Sequence, residues 1–206
     1  MQYTELRQKL NNFIIFTLND IRKVDHSFYR ARLNDWQSSG YIKKIRRGYY
    51  IFADLKLNEQ YLALIANHLY EPSYVSFELA LSYYGLIPEG VYGITSATTK
   101  KTASFHTPIG EFMYHKIKSS LMVGYRLEPY HNQQIKIAEI EKTVLDYLYI
   151  NPSLKSEDDF AGLRFDGQEF LTQADMAKFR SYLALFNSQS LTRRANLFLE
   201  FIKNNS

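Results

Sequence analysis

Two β-prone runs, Tyr41–Ile45 and Tyr49–Phe52, flank the basic turn Arg46-Arg47-Gly48. Short strands around a Gly-containing turn close as a hairpin. What comes before them has helical spacing. Leu6 and Leu10 lie one turn apart on a first helix, and Thr17-x-x-Asp20 is an N-cap pattern opening a second that carries Leu18 and Ile21. A third helix is expected from Ser27 to Ser38, with Tyr29, Leu33 and Trp36 as its buried row and Gly40 as its stop. Helix, helix, helix, basic hairpin is the element order of a winged helix-turn-helix. The first unit is therefore expected to span residues 1–56.

Charge is concentrated in the same segment. Residues 1–52 hold ten Lys/Arg against four Asp/Glu, whereas the whole 206-residue chain carries only +4. The remainder is thus slightly acidic, and an anionic polymer is the expected partner of the first quarter. The plainer alternative is a solvated basic face on a protein-interaction module. The chain lacks cysteine, so disulfides, thiolate metal sites and a Cys nucleophile are impossible. No apolar run reaches the ~20 residues needed to cross a bilayer, and Met1–Leu10 does not resemble a signal peptide. A soluble, cytoplasmic protein with no membrane partner is the expectation.

Residues 57–206 are expected to form a second unit. Asn58 can cap a helix with Leu62, Ile65 and Leu69 inside, and Ser76 can open another that stops at Gly85. Val91–Thr99 has strand character, Phe105–Lys116 reads as a hairpin around Thr107-Pro108-Ile109-Gly110, and Leu121–Tyr125 and Ile135–Ala138 read as short strands. A helix follows over Glu139–Ile150. Asn151–Gln168, with its Glu157-Asp158-Asp159 run, reads as a loop, and stripes at Met176/Phe179/Leu183/Phe186 and Leu191/Ala195/Phe198/Ile202 give two closing helices. The expected class is α+β: a winged helix-turn-helix, then a mixed α/β domain with short antiparallel strands and a helical tail.

Catalytic signals are sparse. The chain has no H-E-x-x-H, P-loop, G-x-G-x-x-G or G-x-S-x-G motif. Glu139, Glu141 and Asp146 could serve a metal-dependent nuclease, but no acidic-x-Lys strand motif accompanies Lys142, and Glu139 suits a helix start. No enzyme activity, metal or cofactor is expected. The stronger constellation is the third helix and hairpin. On the expected helix Ser27, Phe28, Arg30, Ala31, Asn34 and Gln37 face outward, with Arg32 at the margin. Arg reads guanine and Asn or Gln reads adenine in the major groove. Lys43, Lys44, Arg46 and Arg47 are placed for phosphates or a minor groove.

Four blocks in order resemble the AbiEi-type antitoxins. Leu33–Tyr50 resembles that family's L-x-x-L-x-x-x-G-x-I-x-x-I-x-x-G-x-Y stretch, with Trp36 in place of the second aliphatic. Tyr74–Leu86 resembles Y-V-S-x-x-S-A-L-x-x-x-G-L, with Leu79 where Ser is common. Ile94–Thr98 and Ala138–Asp146 resemble two later blocks. The resemblance implies a bacterial antitoxin of a type IV toxin–antitoxin pair linked to abortive phage infection. Such a protein represses its own promoter through a winged helix and counters a nucleotidyltransferase-like toxin through its C-terminal domain, without direct contact being implied. It also singles out Ser76, Glu141 and Lys142 for antitoxicity. The residues alone allow a plainer role for each: Ser76 as an N-cap, and Glu141 in a local ion pair with Lys142 or another basic group. A nuclease and a ligand-responsive regulator without a toxin partner remain as alternatives.

Overall fold

The computed structural model describes residues 1–88 and 93–205. The first quarter runs α1 (Tyr3–Lys9), β1 (Phe16–Thr17), α2 (Leu18–Val24), α3 (Arg32–Ser38), β2 (Ile42–Arg46) and β3 (Tyr49–Phe52). Its strands form an antiparallel sheet in the order β1-β3-β2. The expected cap is in place: Asp20 N–H donates to Thr17 Oγ1 at 3.3 Å, and Thr17 N–H donates to Asp20 Oδ2 at 2.9 Å. Gly40 stops α3 at φ 72°, a left-handed conformation that glycine adopts without a Cβ penalty. Its N–H bonds Gln37 O and the Tyr41 N–H bonds Trp36 O, which satisfies the last carbonyls of the helix.

The third helix is shorter than its sequence suggests. It begins at Arg32, not Ser27. Asp25 Oδ1 accepts from both the Ser27 N–H at 3.1 Å and the Ser27 hydroxyl at 2.8 Å, so residues 25–27 form a side-chain-closed turn. Helical spacing therefore does not reach back to Tyr29. Phe28 is buried, its ring 5.3 Å from that of Trp36, whereas Tyr29 is 73% exposed. The expected positions of these two aromatics are reversed.

The rest of the described chain continues with α4 (Glu59–Leu69), β4 (Ser73–Val75), α5 (Phe77–Tyr83), β5 (Ile94–Thr98), β6 (Ala103–Thr107), β7 (Gly110–Lys116), β8 (Tyr125–Tyr130) and β9 (Gln133–Ala138). Then come α6 (Ile140–Ile150), α7 (Glu157–Ala161), α8 (Gly167–Gln173), α9 (Met176–Phe186) and α10 (Gln189–Asn204). Six strands form one sheet in the order β6-β7-β5-β4-β9-β8. It is mixed: β5 pairs parallel with β7, and β4 parallel with β9. The expected set of antiparallel strands is corrected to that extent. The chain as a whole is α+β.

Side chains alternate across the central strands, so the sheet separates two cores. Tyr74, Ala97 and Ala138 face α5, α6 and the helical tail. Val75, Ile94, Ile135 and Ile137 face α4. Both faces of β4 and β5 are buried. Three local expectations change. Of the strand expected over Val91–Thr99, β5 supplies Ile94–Thr98, and residues 91 and 92 lie outside the described residues. Ser119–Leu121 is a 3-10 turn, and the next strand starts only at Tyr125. The acidic run at 157–159 is the first turn of α7, closed by a Ser156/Asp159 capping box. Negative charge is favoured there by the helix dipole.

The connection from residue 53 to 58 does separate β3 from α4, but the apolar core passes through it. Ile14, Ile15, Ile45 and Ile51 lie in one cluster with Ala63, Leu64, Ile65, Val75 and Ile137. Farther along, Gln133 Nε2 donates to Asn12 O at 2.7 Å, and Asn132 Nδ2 to Asn12 Oδ1 at 3.2 Å. The first quarter is thus packed against the α4 side of the larger sheet.

Candidate nucleic-acid interface

Of the residues expected to touch bases, Ser27, Arg30 and Asn34 are exposed. Arg30 precedes α3 and Asn34 lies in its first turn, so both are presented at the start of the helix. Tyr29 stands beside them on the surface. Helical spacing assigns it to the core; the Asp25-x-Ser27 turn is the local signal that places it outside. Arg32 and Gln37 are half-buried. The Arg32 guanidinium donates to the Met1 carbonyl, and Gln37 Nε2 donates to Leu33 O at 2.9 Å. Both are tied back into the fold.

The hairpin presents Lys43, Lys44 and Arg47 to solvent. Gly48, at φ 87°, makes the turn that carries Arg47 outward. Arg46 is different. The pairing of β2 with β3 slips between Lys44 and Arg46, a bulge that redirects the side chain. Arg46 points away from Arg47 and into the larger unit. Its guanidinium lies 3.9 Å from the Phe105 ring centroid, and Nη1 donates to Leu69 O at 3.2 Å. The sequence groups four hairpin cations together; the fold presents three and turns one inward.

Ser76, Glu141 and Lys142, the residues expected to serve antitoxicity, are all buried, at 0%, 3% and 1% exposure. Ser76 occupies the N-cap position of α5, yet its hydroxyl makes no cap. It donates instead to Asp146 Oδ2 at 3.0 Å. Tyr74 OH donates to the same oxygen at 2.7 Å, while Lys142 Nζ donates to Tyr74 OH at 2.7 Å and to Asp146 Oδ1. Burial pushes the Lys142 ammonium below the ordinary lysine range, with the Asp146 carboxylate opposing that shift. Burial also drives the Tyr74 phenol well upward, so it stays a neutral donor.

Thr95 takes over the cap that Ser76 has given up. Its Oγ1 accepts from the Leu79 N–H at 3.0 Å and donates to Ser76 O at 2.8 Å. These bonds hold a junction in which Phe77 sits at φ 60°, which for a bulky side chain costs roughly 1–3 kcal/mol. Two sequence blocks, around Tyr74–Ser76 and Glu141–Asp146, therefore meet as a structural polar network between β4 and α6.

The three carboxylates considered for metal chemistry have separate partners. Glu139 Oε2 accepts from Tyr182 OH at 2.7 Å and pairs with Lys178 at 3.1 Å. Glu141 Oε1 accepts from the Asp175 N–H at 2.8 Å, and Asp146 belongs to the buried network. An apolar cavity beside β9 is bordered by Ala63, Val75, Leu79, Ile135 and Ile137 and encloses about 50 Å³, far below the ~300 Å³ of small-molecule sites. A wider cleft of about 370 Å³ opens where the first quarter meets α4, lined by Asn12, Phe13, Ile15, Asp20, His68 and Gln133. Among the described residues no helix is long and apolar enough to cross a membrane. Neither the protein-family models nor the curated proteins searched contain a match to this chain.

Proposed function

We propose that the chain is a winged-helix repressor that binds double-stranded DNA at its own promoter and serves as the antitoxin opposing a nucleotidyltransferase-like toxin. The observation that carries the DNA-binding part is one surface of the first quarter. Ser27, Arg30 and Asn34 are exposed at the start of α3, and Lys43, Lys44 and Arg47 are exposed on the adjoining hairpin. The order α1-β1-α2-α3-β2-β3, with strands arranged β1-β3-β2, supports the winged-helix reading. In such a unit α3 enters the major groove and the hairpin tracks phosphates. Antitoxicity rests on the four blocks that resemble AbiEi-type antitoxins. With Ser76, Glu141 and Lys142 buried, that activity belongs to the surface of the larger unit and not to those side chains.

The test is a promoter reporter beside a growth assay under induction of a nucleotidyltransferase-like toxin encoded next to this gene, the arrangement the proposal requires. Full-length protein represses the reporter and restores growth. An Arg30→Ala/Asn34→Ala variant loses repression and keeps rescue. Failure of the intact protein to repress refutes the DNA-binding reading, and failure to rescue refutes the antitoxin reading. A ligand-responsive regulator without a toxin partner is the second reading, and the 370 Å³ cleft is where its effector would sit. Rescue of growth decides against it.

A further inference from the structure

The outer strands of the two sheets, β2 and β6, lie against one another. Arg46 crosses from β2 to β6. Its guanidinium packs on the Phe105 ring at 3.9 Å and lies 5.6 Å from the Tyr70 ring. Those rings are themselves braced: Tyr70 and Phe105 meet edge-on at 5.4 Å, and Tyr114 packs on both at 5.1 and 5.6 Å. Tyr70 OH donates to Lys101 O at 3.2 Å, which fixes the floor of this nest. The Leu69 carbonyl that receives Arg46 Nη1 belongs to the last residue of α4, where a cation also meets the negative end of the helix dipole.

From this geometry we infer that Arg46 is a positioning residue for DNA binding: it clasps the basic hairpin to the β6 edge, so that the larger unit sets the angle at which Lys43, Lys44 and Arg47 meet the duplex. The inference rests on the DNA-binding reading above. Three features carry it. The β2 bulge turns Arg46 inward while leaving its neighbour Arg47 outside. The planar guanidinium stacks on one ring and bonds a carbonyl at once, which a lysine ammonium matches poorly. The hairpin's other packing against the larger unit is apolar, through Ile45, Tyr49 and Ile51, and Arg46 adds a directional hydrogen bond and a ring contact. A hairpin that must be ordered on binding loses affinity, whereas one already held does not.

A phosphate-binding arginine and a clasp differ in salt dependence. Removing one cation from a phosphate makes the slope of log K against log salt shallower by about 0.9. Opening a clasp lowers affinity at every salt concentration and leaves the slope alone. The experiment compares Arg46→Ala, Arg46→Lys, Phe105→Leu and Arg47→Ala in full-length protein, titrated with duplex DNA from upstream of its gene. Phe105→Leu keeps an apolar side chain and removes the ring face on which Arg46 packs. Arg46→Ala, Arg46→Lys and Phe105→Leu should each weaken binding about tenfold with the wild-type slope, as loss of pre-organisation does. Arg46→Ala/Phe105→Leu should be no weaker than Arg46→Ala alone, because the ring acts on the hairpin through Arg46. Arg47→Ala should flatten the slope.

A flattened slope in Arg46→Ala, with wild-type binding by Arg46→Lys and Phe105→Leu, overturns the clasp and makes Arg46 a phosphate ligand. Hydrogen exchange of the β2–β3 amides without DNA separates this inference from the function it rests on. Faster exchange in Phe105→Leu supports the clasp even if the wild type binds no DNA. Unchanged exchange in both Arg46→Ala and Phe105→Leu overturns it.

Discussion

Replacing Asp146 with Ala should strongly destabilise the fold. The carboxylate is fully buried and accepts from Lys142, Tyr74 and Ser76. Its removal strands a buried ammonium, which typically costs ~3–5 kcal/mol, and removes the acceptor of two hydroxyls, each worth ~1–3 kcal/mol if left unpaired. Lys142 Nζ still donates to Tyr74 OH at 2.7 Å, so the ammonium keeps one partner and the loss falls at the low end of these ranges. A total of about 4 kcal/mol, with a urea slope of ~2–3 kcal/mol/M, lowers the midpoint by about 1.3–2 M. The assay is equilibrium urea unfolding followed by circular dichroism. The deficit should shrink as pH rises. Burial already depresses the Lys142 ammonium, and losing Asp146 depresses it further. The unfolded chain then binds more protons between that lowered value and ~10.4, so stability climbs with pH through this interval. Lys142→Met/Asp146→Leu removes both charges and should return to within ~2 kcal/mol of wild type. A midpoint shift under about 0.4 M for Asp146→Ala, equivalent to ~1 kcal/mol, would refute the reasoning.

Three further outcomes follow from other parts of the fold. Arg30→Ala or Asn34→Ala should weaken binding to upstream DNA by ~1–3 kcal/mol and to shuffled DNA much less; equal losses on both would make these residues backbone contacts. A fragment of residues 57–206 should show no cooperative thermal transition, because it leaves the cluster around Leu64, Ile65 and Ile137 without Ile14, Ile15, Ile45 and Ile51; a melt near the full-length Tm would contradict a shared core. Burial pulls the Glu139 carboxyl upward, but hydrogen bonds from Tyr182 and Lys178 outweigh this and hold it below the ordinary carboxylate range. Its contribution is therefore present above pH ~4.3 and lost as pH falls through the lowered value. Tyr182→Phe should flatten that acid limb, as read from unfolding at several pH values; an unchanged limb would show that the 2.7 Å bond is not what lowers Glu139.

Signals carried within a few residues are readable from the sequence alone. The Thr17/Asp20 box, the Gly40 stop, the Gly48 hairpin and the stripes on α9 and α10 are of this kind. What escapes such reading depends on distant partners. β4 is only three residues long and buried on both faces, so it shows no alternation. The parallel pairing of β5 with β7 leaves no mark in either strand. Ser76 looks like a cap by its neighbours, but the acceptor that claims its hydroxyl is 70 residues away. Arg46 looks like Arg47, and a single bulge separates their fates. Tyr29 fits a helical row because the Asp25–Ser27 turn that breaks the row is a side-chain event.

The most direct test of DNA binding through the first quarter is the affinity of the intact protein for its upstream duplex and for a shuffled duplex, measured by fluorescence anisotropy from ~50 to ~200 mM salt. The exposed hairpin cations Lys43, Lys44 and Arg47 predict tighter binding to the upstream duplex and a log–log slope of about −2.7 or steeper, at ~0.9 per neutralised phosphate. Equal affinity for the two duplexes, or an affinity that does not change with salt, would contradict it.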